Sequence, residues 1–243
     1  MSHNIFAELT PSRRKTSRRV HNGEPSNQLV FSACQGTNDE LFPSVLSLYV
    51  APGSTIADIT YGKGVFWKQI DRKAYHVKPT DLATGTDCRK LPYRSGSMDC
   101  VVFDPPYMHT PGGSAHVGHQ NFEQYYGNNG TQSASKYHEA VLELYFETAV
   151  EAKRVLRDGG TFIVKCQDEV CANQQRLTHV EIINHYQTLG FCVEDMFVLM
   201  RRNRPGMSRV ARQVHARKNH SYFVVFWKCV EGKKRWKGPR AAT

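Results

Sequence analysis

The chain has 243 residues, 40% of them apolar, enough for one α/β domain with a substantial core. Lys and Arg (32) outnumber Asp and Glu (22) for a net charge of +10, and no apolar run approaches the ~20 residues that would span a bilayer, which argues against a membrane partner. Seven cysteines, an odd number without a C-x-x-C pair, read as reduced thiols of a cytoplasmic protein and not as a disulfide framework or a zinc site.

The excess charge sits at the two ends. Residues 1 to 20 hold five Lys/Arg against one Glu, and the stretch from Arg201 onward holds thirteen against one, so the body between them is acidic. Segregated positive charge fits a polyanion, where counterion release drives binding. Residues 1–30 are polar, basic and without clear periodicity. They read as a flexible basic arm and lack the apolar segment of a secretory signal. The domain is expected over residues 31–230. Residues 231–243 read as a basic tail, either polyanion-binding or simply solvated.

In chain order, Thr55 to Gly64 reads as a strand running into a glycine turn, with a helix from Val65. Gly62 and Gly64 let a ligand approach the backbone, and a following helix N-terminus offers unpaired amides. The turn lacks the third glycine of a dinucleotide fingerprint, and it is no phosphate loop, because no Ser/Thr follows its Gly-Lys. Asp81 falls about 20 residues after the turn, where a doubly wound fold places a ribose-binding carboxylate; an ordinary loop aspartate fits the same position. Asp87, ahead of Cys88, could accept a hydrogen bond from an adenine amine.

Cys100-Val101-Val102-Phe103 reads as a buried strand stopped by Asp104-Pro105-Pro106-Tyr107. That corner presents a carboxylate, proline carbonyls and an aromatic face. The carboxylate and the Pro105 carbonyl can accept the two hydrogens of an exocyclic amine while the tyrosine stacks on its ring. Taken alone, the tetrapeptide is equally a strand-ending turn. Residues 108–135 form a long irregular loop whose Phe122, Tyr125 and Tyr126 could fill a vacated base position, stack on a flipped base, or pin the loop to the core. His109, His116, His119 and His138 lack carboxylate or cysteine partners at ligand spacing, so no metal is expected.

The second half alternates helix and strand. Lys136 to Leu156 carries a helical apolar stripe, Asp158-Gly159-Gly160 ends it, and Thr161 to Lys165 starts a strand. Thr178 and Glu181 have capping-box spacing, ahead of a helical face of Val180, Ile183, Tyr186 and Leu189 that stops at Gly190. Phe191 to Met200 and Tyr222 to Lys228 read as the last strands. The basic segment 201–219 lies between them.

From Asn38 to Trp227 the chain resembles the S-adenosylmethionine-dependent amino-methyltransferases of nucleic acids, which methylate adenine N6 or cytosine N4. Asp58, Gly62 and Gly64 match the family's D-x-x-x-G-x-G. Asp104 to Tyr107 match its (D/N/S)-P-P-(Y/F/W), in the Asp form commoner among adenine enzymes. Phe42-Pro43 through Pro52-Gly53 looks like the helix that packs on the methionine end of the cofactor, in the motif order of the beta group. Two positions depart: Asp58-Ile59-Thr60 replaces the frequent Asp-Pro-Phe, and Lys63 stands where Ser is usual.

The resemblance implies a class I methyltransferase-like α/β fold, a doubly wound, mostly parallel seven-stranded sheet with an antiparallel last strand. It implies S-adenosylmethionine held by Pro43, Asp58, Thr60, Gly62, Gly64, Asp81, Asp87 and Cys88, and catalysis by Asp104, Pro105, Pro106 and Tyr107. Nucleic acid would be gripped by Arg201, Arg202, Arg204, Arg209, Arg212, Arg217 and Lys218. The expected activity is adenine-N6 methylation of double-stranded DNA, with a homodimer left open. RNA methylation at adenine N6 or guanine N2, cytosine-N4 methylation, a small-molecule methyltransferase and a non-catalytic nucleic-acid-binding module stay as alternatives.

Overall fold

The computed structural model describes residues 29–106, 138–202 and 212–230. Tyr107, the loop 108–135, Arg204, Arg209, the arm up to residue 28 and the tail 231–243 therefore lie outside the described residues. The chain divides into two compact units, Met1–Val30 and Phe31–Thr243; the second holds the fold that follows.

Strands alternate with helices along this unit. The order is β1 (Ala33–Gln35), α1 (Asn38–Tyr49), β2 (Thr55–Asp58), β3 (His76–Pro79), β4 (Met98–Phe103), α2 (His138–Val155), β5 (Leu156–Cys166), β6 (Glu169–Cys171), β7 (Gln174–Arg176), α3 (Thr178–Thr188), β8 (Phe191–Met200) and β9 (His220–Lys228). Seven strands form one sheet in the order β1-β8-β9-β5-β4-β2-β3. All its neighbours pair in parallel except β9, which runs antiparallel to both β5 and β8. β6 and β7 make a separate hairpin, turned by Ala172 and Asn173 at positive φ as a two-residue hairpin requires.

Side chains alternate across each strand, so each face has its own core. Ala57, Val101, Phe103, Phe162, Val164, Val224 and Phe226 join the cluster built on α2 and α3. Tyr145 of α2 donates its hydroxyl to the Lys165 carbonyl at 2.7 Å, and Tyr186 of α3 donates to the Tyr145 carbonyl at 2.9 Å. On the other face, Phe42 of α1 packs against Phe66, Trp67 and Phe223 with ring centroids 4.7, 5.4 and 6.0 Å apart. Helices on both faces of a mostly parallel sheet make this the doubly wound class I methyltransferase-like architecture.

Several local expectations are corrected. The helix from Val65 shrinks to one 3₁₀ turn, Val65–Trp67. Adjacent Phe66 and Trp67 are both buried against α1, whereas a continuing α-helix would splay neighbours about 100° apart. Asp158-Gly159-Gly160 does not precede the strand but lies within it: Met98 pairs with Leu156 and Cys100 with Thr161, so the glycines form a bulge. Thr178 and Glu181 form no capping box. The cap residue is Leu177, and the Glu181 carboxylate is taken by Arg176 at 3.1 Å and His138 at 3.2 Å. The buried face of α3 is Thr178, Ile182 and Tyr186, while Val180 is exposed. The reading of all seven cysteines as thiols also fails: Cys192 and Cys229 are joined as a disulfide, and the other five are free. The β8–β9 pairing sets Cys192 opposite Trp227, two residues from Cys229.

Candidate active site

β2 lies between β3 and β4, so the chain leaves it first to one side and later to the other. The carboxyl ends of β2 and β4 thus flank a topological switch point, the crevice in which open α/β sheets bind ligands. Asp58 ends β2 and Asp104 directly follows β4, so two of the expected site carboxylates meet there.

Asp58 is almost wholly buried. Its carboxylate accepts the Trp67 indole N–H at 2.7 Å and the Thr60 amide at 3.2 Å. Burial pushes its pKa up to about 7 against the pull of those two donors, with the carboxylates of Asp104 and Asp81 adding to the rise. A cation brought to this site would restore its charge.

The glycine turn is braced from β3. Asp81 accepts the Gly62 amide at 2.9 Å through one oxygen and the Ala83 amide at 2.9 Å through the other. Tyr61 donates its amide to the Thr80 carbonyl, and Thr80 donates to that of Asp58. Gly62 and Gly64 adopt φ of 50° and 64°, the left-handed region that glycine enters without strain. A β-carbon on Gly64 would lie 2.6 Å from the Tyr61 hydroxyl oxygen. Pro43 lies within α1, the helix whose Phe42 packs on Phe66 and Trp67 beyond the turn. Beside the turn, a cavity of about 290 Å³ is lined by Tyr61, Trp67, Arg72, Tyr75 and Pro79, among others.

Asp104 is tied by its backbone to the segment that leads into the glycine turn. Its amide donates to the Thr60 hydroxyl at 2.7 Å, so Thr60, expected to touch the cofactor, also clamps the Asp-Pro-Pro corner to β2. Pro105 is buried and Pro106 half-buried. The Asp104 Oδ1 oxygen is buried and meets no hydrogen-bond donor among the described residues. Lys165 Nζ lies 4.0 Å away. Burial raises the Asp104 carboxyl above its usual range, and the Lys165 charge pulls it back.

Asp87 and Cys88, two further residues expected at the cofactor, lie between β3 and β4. Asp87 pairs with Arg89 at 2.8 Å, which reaches on to Glu147 at 3.3 Å. Cys88 is buried with its sulfur 3.3 Å from the Thr148 hydroxyl of α2. Its side chain lies in the core against α2.

The basic segment opens on the same edge of the sheet as Asp104, because Cys166 of β5 pairs with Tyr222 of β9 and Met200 of β8 with His220. Arg201 donates its amide to the Asn219 carbonyl at 2.8 Å, and its guanidinium lies 3.5 Å from Gln167. Arg202 pairs with Glu40 of α1 at 3.0 Å. Arg212 and Arg217 are exposed and Lys218 is half-buried.

Sequence reasoning missed Lys165, a buried charge at the end of β5. The signal was present: Thr161 to Lys165 places Ile163 and Lys165 on the face opposite Phe162 and Val164. It also missed a polar network on this edge, in which Asp168 accepts from His179 at 2.7 Å and from the Tyr222 hydroxyl at 3.1 Å. No described group of three His, Cys, Asp or Glu residues is arranged to hold a metal ion, and no described helix is long and apolar enough to cross a membrane.

Comparison with known proteins adds the family. The profile of the DNA methylase family, covering N6 and N4 methyltransferases, matches residues 98–240, more than half of the chain. No curated protein matches. Among solved structures, TTHA0409 of Thermus thermophilus, assigned as a DNA modification methylase and solved with S-adenosyl-L-methionine, is 16% identical at a TM-score of 0.40. That match covers 76% of this chain and 59% of TTHA0409. TrmN of Thermus thermophilus is 15% identical with a TM-score of 0.45, over 79% of this chain and 49% of TrmN. A methyltransferase of Pyrococcus furiosus is 15% identical with a TM-score of 0.43, over 79% and 81%. The chain spans a little over half the length of the first structures it matches, and likenesses this distant carry no weight beside the family match. S-adenosylmethionine is the methyl donor of the family, and Gly62 and Gly64, in the left-handed region, leave the backbone beside Asp58 free of side chains. The match begins at Met98, the first residue of β4, and takes in the Asp-Pro-Pro-Tyr corner and every strand after it: the chain belongs to the DNA methylase family.

Proposed function

We propose that the chain transfers a methyl group from S-adenosylmethionine to the exocyclic N6 amine of adenine in double-stranded DNA. The observation that carries this reading is the hydrogen bond from the Asp104 amide to Thr60. It locks the amine-accepting corner to the strand that ends at the cofactor turn, so acceptor and methyl donor share one rigid frame.

When bound, the cofactor supplies an electrophilic methyl on a sulfonium. Asp104 accepts one amine hydrogen and the Pro105 carbonyl the other, which turns the nitrogen lone pair toward that methyl. That lone pair would take the methyl with the thioether as leaving group, and the proton that the methylated nitrogen sheds would pass to the Asp104 carboxylate already accepting it. Orientation supplies most of the rate, because two reactants held in line react as one molecule. Tyr107 stacks on the base in this reading. A base in duplex DNA must first leave the stack, at a cost of a few kcal/mol that the pocket offsets.

Methyl transfer from labelled cofactor to duplex DNA, single-stranded DNA and total RNA, followed by digestion to nucleosides, tests this directly. N6-methyladenine from duplex DNA is the expected product. The same two acceptors fit the cytosine N4 amine, and the family includes N4 enzymes, so N4-methylcytosine would replace the adenine reading. Label found only in RNA would replace the DNA reading.

A further inference from the structure

Lys165 has a second property beyond its place at the site: among the described residues it is the one Lys or Arg that is buried, with its side chain 2% exposed. Alternation along β5 sets it on the α1 face, where its ammonium lies 5.5 Å from the centre of the Phe223 ring. Its carbonyl is fixed by the Tyr145 hydroxyl. From there the ammonium reaches 4.0 Å from Asp104 Oδ1, close enough for a strong charge–charge attraction and too long for a hydrogen bond.

That spacing matters for an acceptor. A lysine bonded directly to the carboxylate would occupy the lone pair the incoming amine needs. With no cation nearby, a carboxyl buried here would tend to take up a proton and could not accept from the amine. The charged groups coupled to Asp104 are Lys165 from β5 and Asp58 from β2, and the buried Cys166 thiol of β5 lies near it too; Thr60 and Phe223 contribute no charge. Asp58 repels a second negative charge, so Lys165 is the described group that favours it.

We propose that Lys165 is a positioning residue for Asp104, whose ammonium holds that carboxylate in its ionised, amine-accepting form while leaving the acceptor oxygen open. This rests on the function proposed above, in which Asp104 takes the target amine. The opposing reading is a structural ion pair. Replacing such a pair with apolar groups of similar volume is often neutral or stabilising, and it leaves the pH dependence of turnover where it was.

The test uses the full chain labelled with ¹³C at aspartate carboxyls, the Asp104 signal being assigned by its loss in Asp104→Asn. In Lys165→Met the Asp104 carboxyl is expected to titrate about 1–3 pH units higher than in the parent protein, the usual effect of removing an opposite charge at this distance. The acidic limb of kcat should move up by the same amount with little change in KM for DNA, and Lys165→Arg should bring the limb back toward its original position. A midpoint unchanged in Lys165→Met overturns the proposal. Should Lys165→Met not fold, Asp104→Asn gives the reciprocal measurement: the Lys165 ammonium, followed by its ¹⁵N signal, should release its proton at lower pH than in the parent, and no change overturns the proposal equally. The carboxyl titration needs no turnover. A shifted midpoint in a protein that methylates no polynucleotide would reject the proposed function and leave the charge-setting role of Lys165 standing.

Discussion

Asp58 and Asp104 sit at the ends of neighbouring strands on one face of the sheet, and they are held in opposite ways. Both oxygens of Asp58 accept hydrogen bonds from within the protein, whereas Asp104 Oδ1 is buried and accepts none from the described residues. Asp81 resembles Asp58, with both its oxygens on backbone amides of the turn. A carboxylate whose bonds are made internally shapes the backbone around it. One with a buried oxygen that no internal donor meets carries a cost of ~1–3 kcal/mol, which under the proposed function the target amine offsets.

The largest expected effect breaks the open member of the pair. Asp104→Ala should lower kcat by at least ~100-fold, the loss that accompanies a mispositioned reactant. Calorimetric affinity for S-adenosylmethionine should change little, while some thermal stability is lost because the buried Lys165 ammonium gives up a neighbouring negative charge. A variant that keeps near-normal turnover on every nucleic acid would reduce the Asp-Pro-Pro-Tyr corner to a turn.

Breaking the closed region should reverse that pattern. Gly64→Val forces a branched side chain into a left-handed backbone and against the Tyr61 ring. We expect cofactor binding to be lost, together with ~1–3 kcal/mol of stability, as read by calorimetry and chemical denaturation. Thr60→Val tests the tie between the regions. It strands the Asp104 amide without its acceptor, at ~1–3 kcal/mol, and should lower kcat while cofactor affinity is largely kept. Loss of affinity with kcat intact would show that Thr60 serves the cofactor alone.

Asp58 sharpens the contrast through pH. Its pKa is raised to about 7, so near neutrality a fraction carries a proton that a cationic ligand must displace. Cofactor affinity is therefore expected to climb as pH rises toward 7, by up to about tenfold per unit, and to level off above it. Asp58→Asn should flatten the profile. The sign for stability is the reverse: an acid with a raised folded pKa favours the fold at low pH, and that contribution fades as pH rises through about 7. An affinity that falls with rising pH across this window would exclude Asp58 as the cation's partner.

What was legible in the sequence follows the same division. The glycine turn, the proline corner and the strand Phe191–Met200 are set by neighbours along the chain, so residue types and spacing revealed them. The Thr60–Asp104 bond joins residues 44 positions apart, and the Lys165–Asp104 pair depends on β4 and β5 lying side by side. Nothing in local spacing announces either. The failed capping box shows the converse: Glu181 has the right spacing, but Arg176 and His138 claim its carboxylate once α2 and the β6–β7 hairpin pack together. The Cys192–Cys229 bond escaped for a similar reason, since cysteine count speaks to compartment while strand register decides which sulfurs meet.

The smallest expected effect carries the comparison to the rim, where cations rather than carboxylates are either paired or open. Arg202 is paired with Glu40, whereas Arg212 and Arg217 are exposed and form no ion pair with the described residues. A phosphate must compete with Glu40 for the first and meets no such competitor at the others. Arg212→Gln with Arg217→Gln should therefore flatten the salt dependence of DNA binding by about one unit of log–log slope per lost phosphate contact. Arg202→Gln alone should change it less, while Glu40→Gln should steepen it by freeing Arg202. Among the described residues these four side chains make no bond to Asp104 or the glycine turn, so cofactor affinity should stay constant across the series. A slope that responds most to Arg202→Gln would mean that DNA displaces Glu40 and that the paired arginine, not the open ones, grips the backbone.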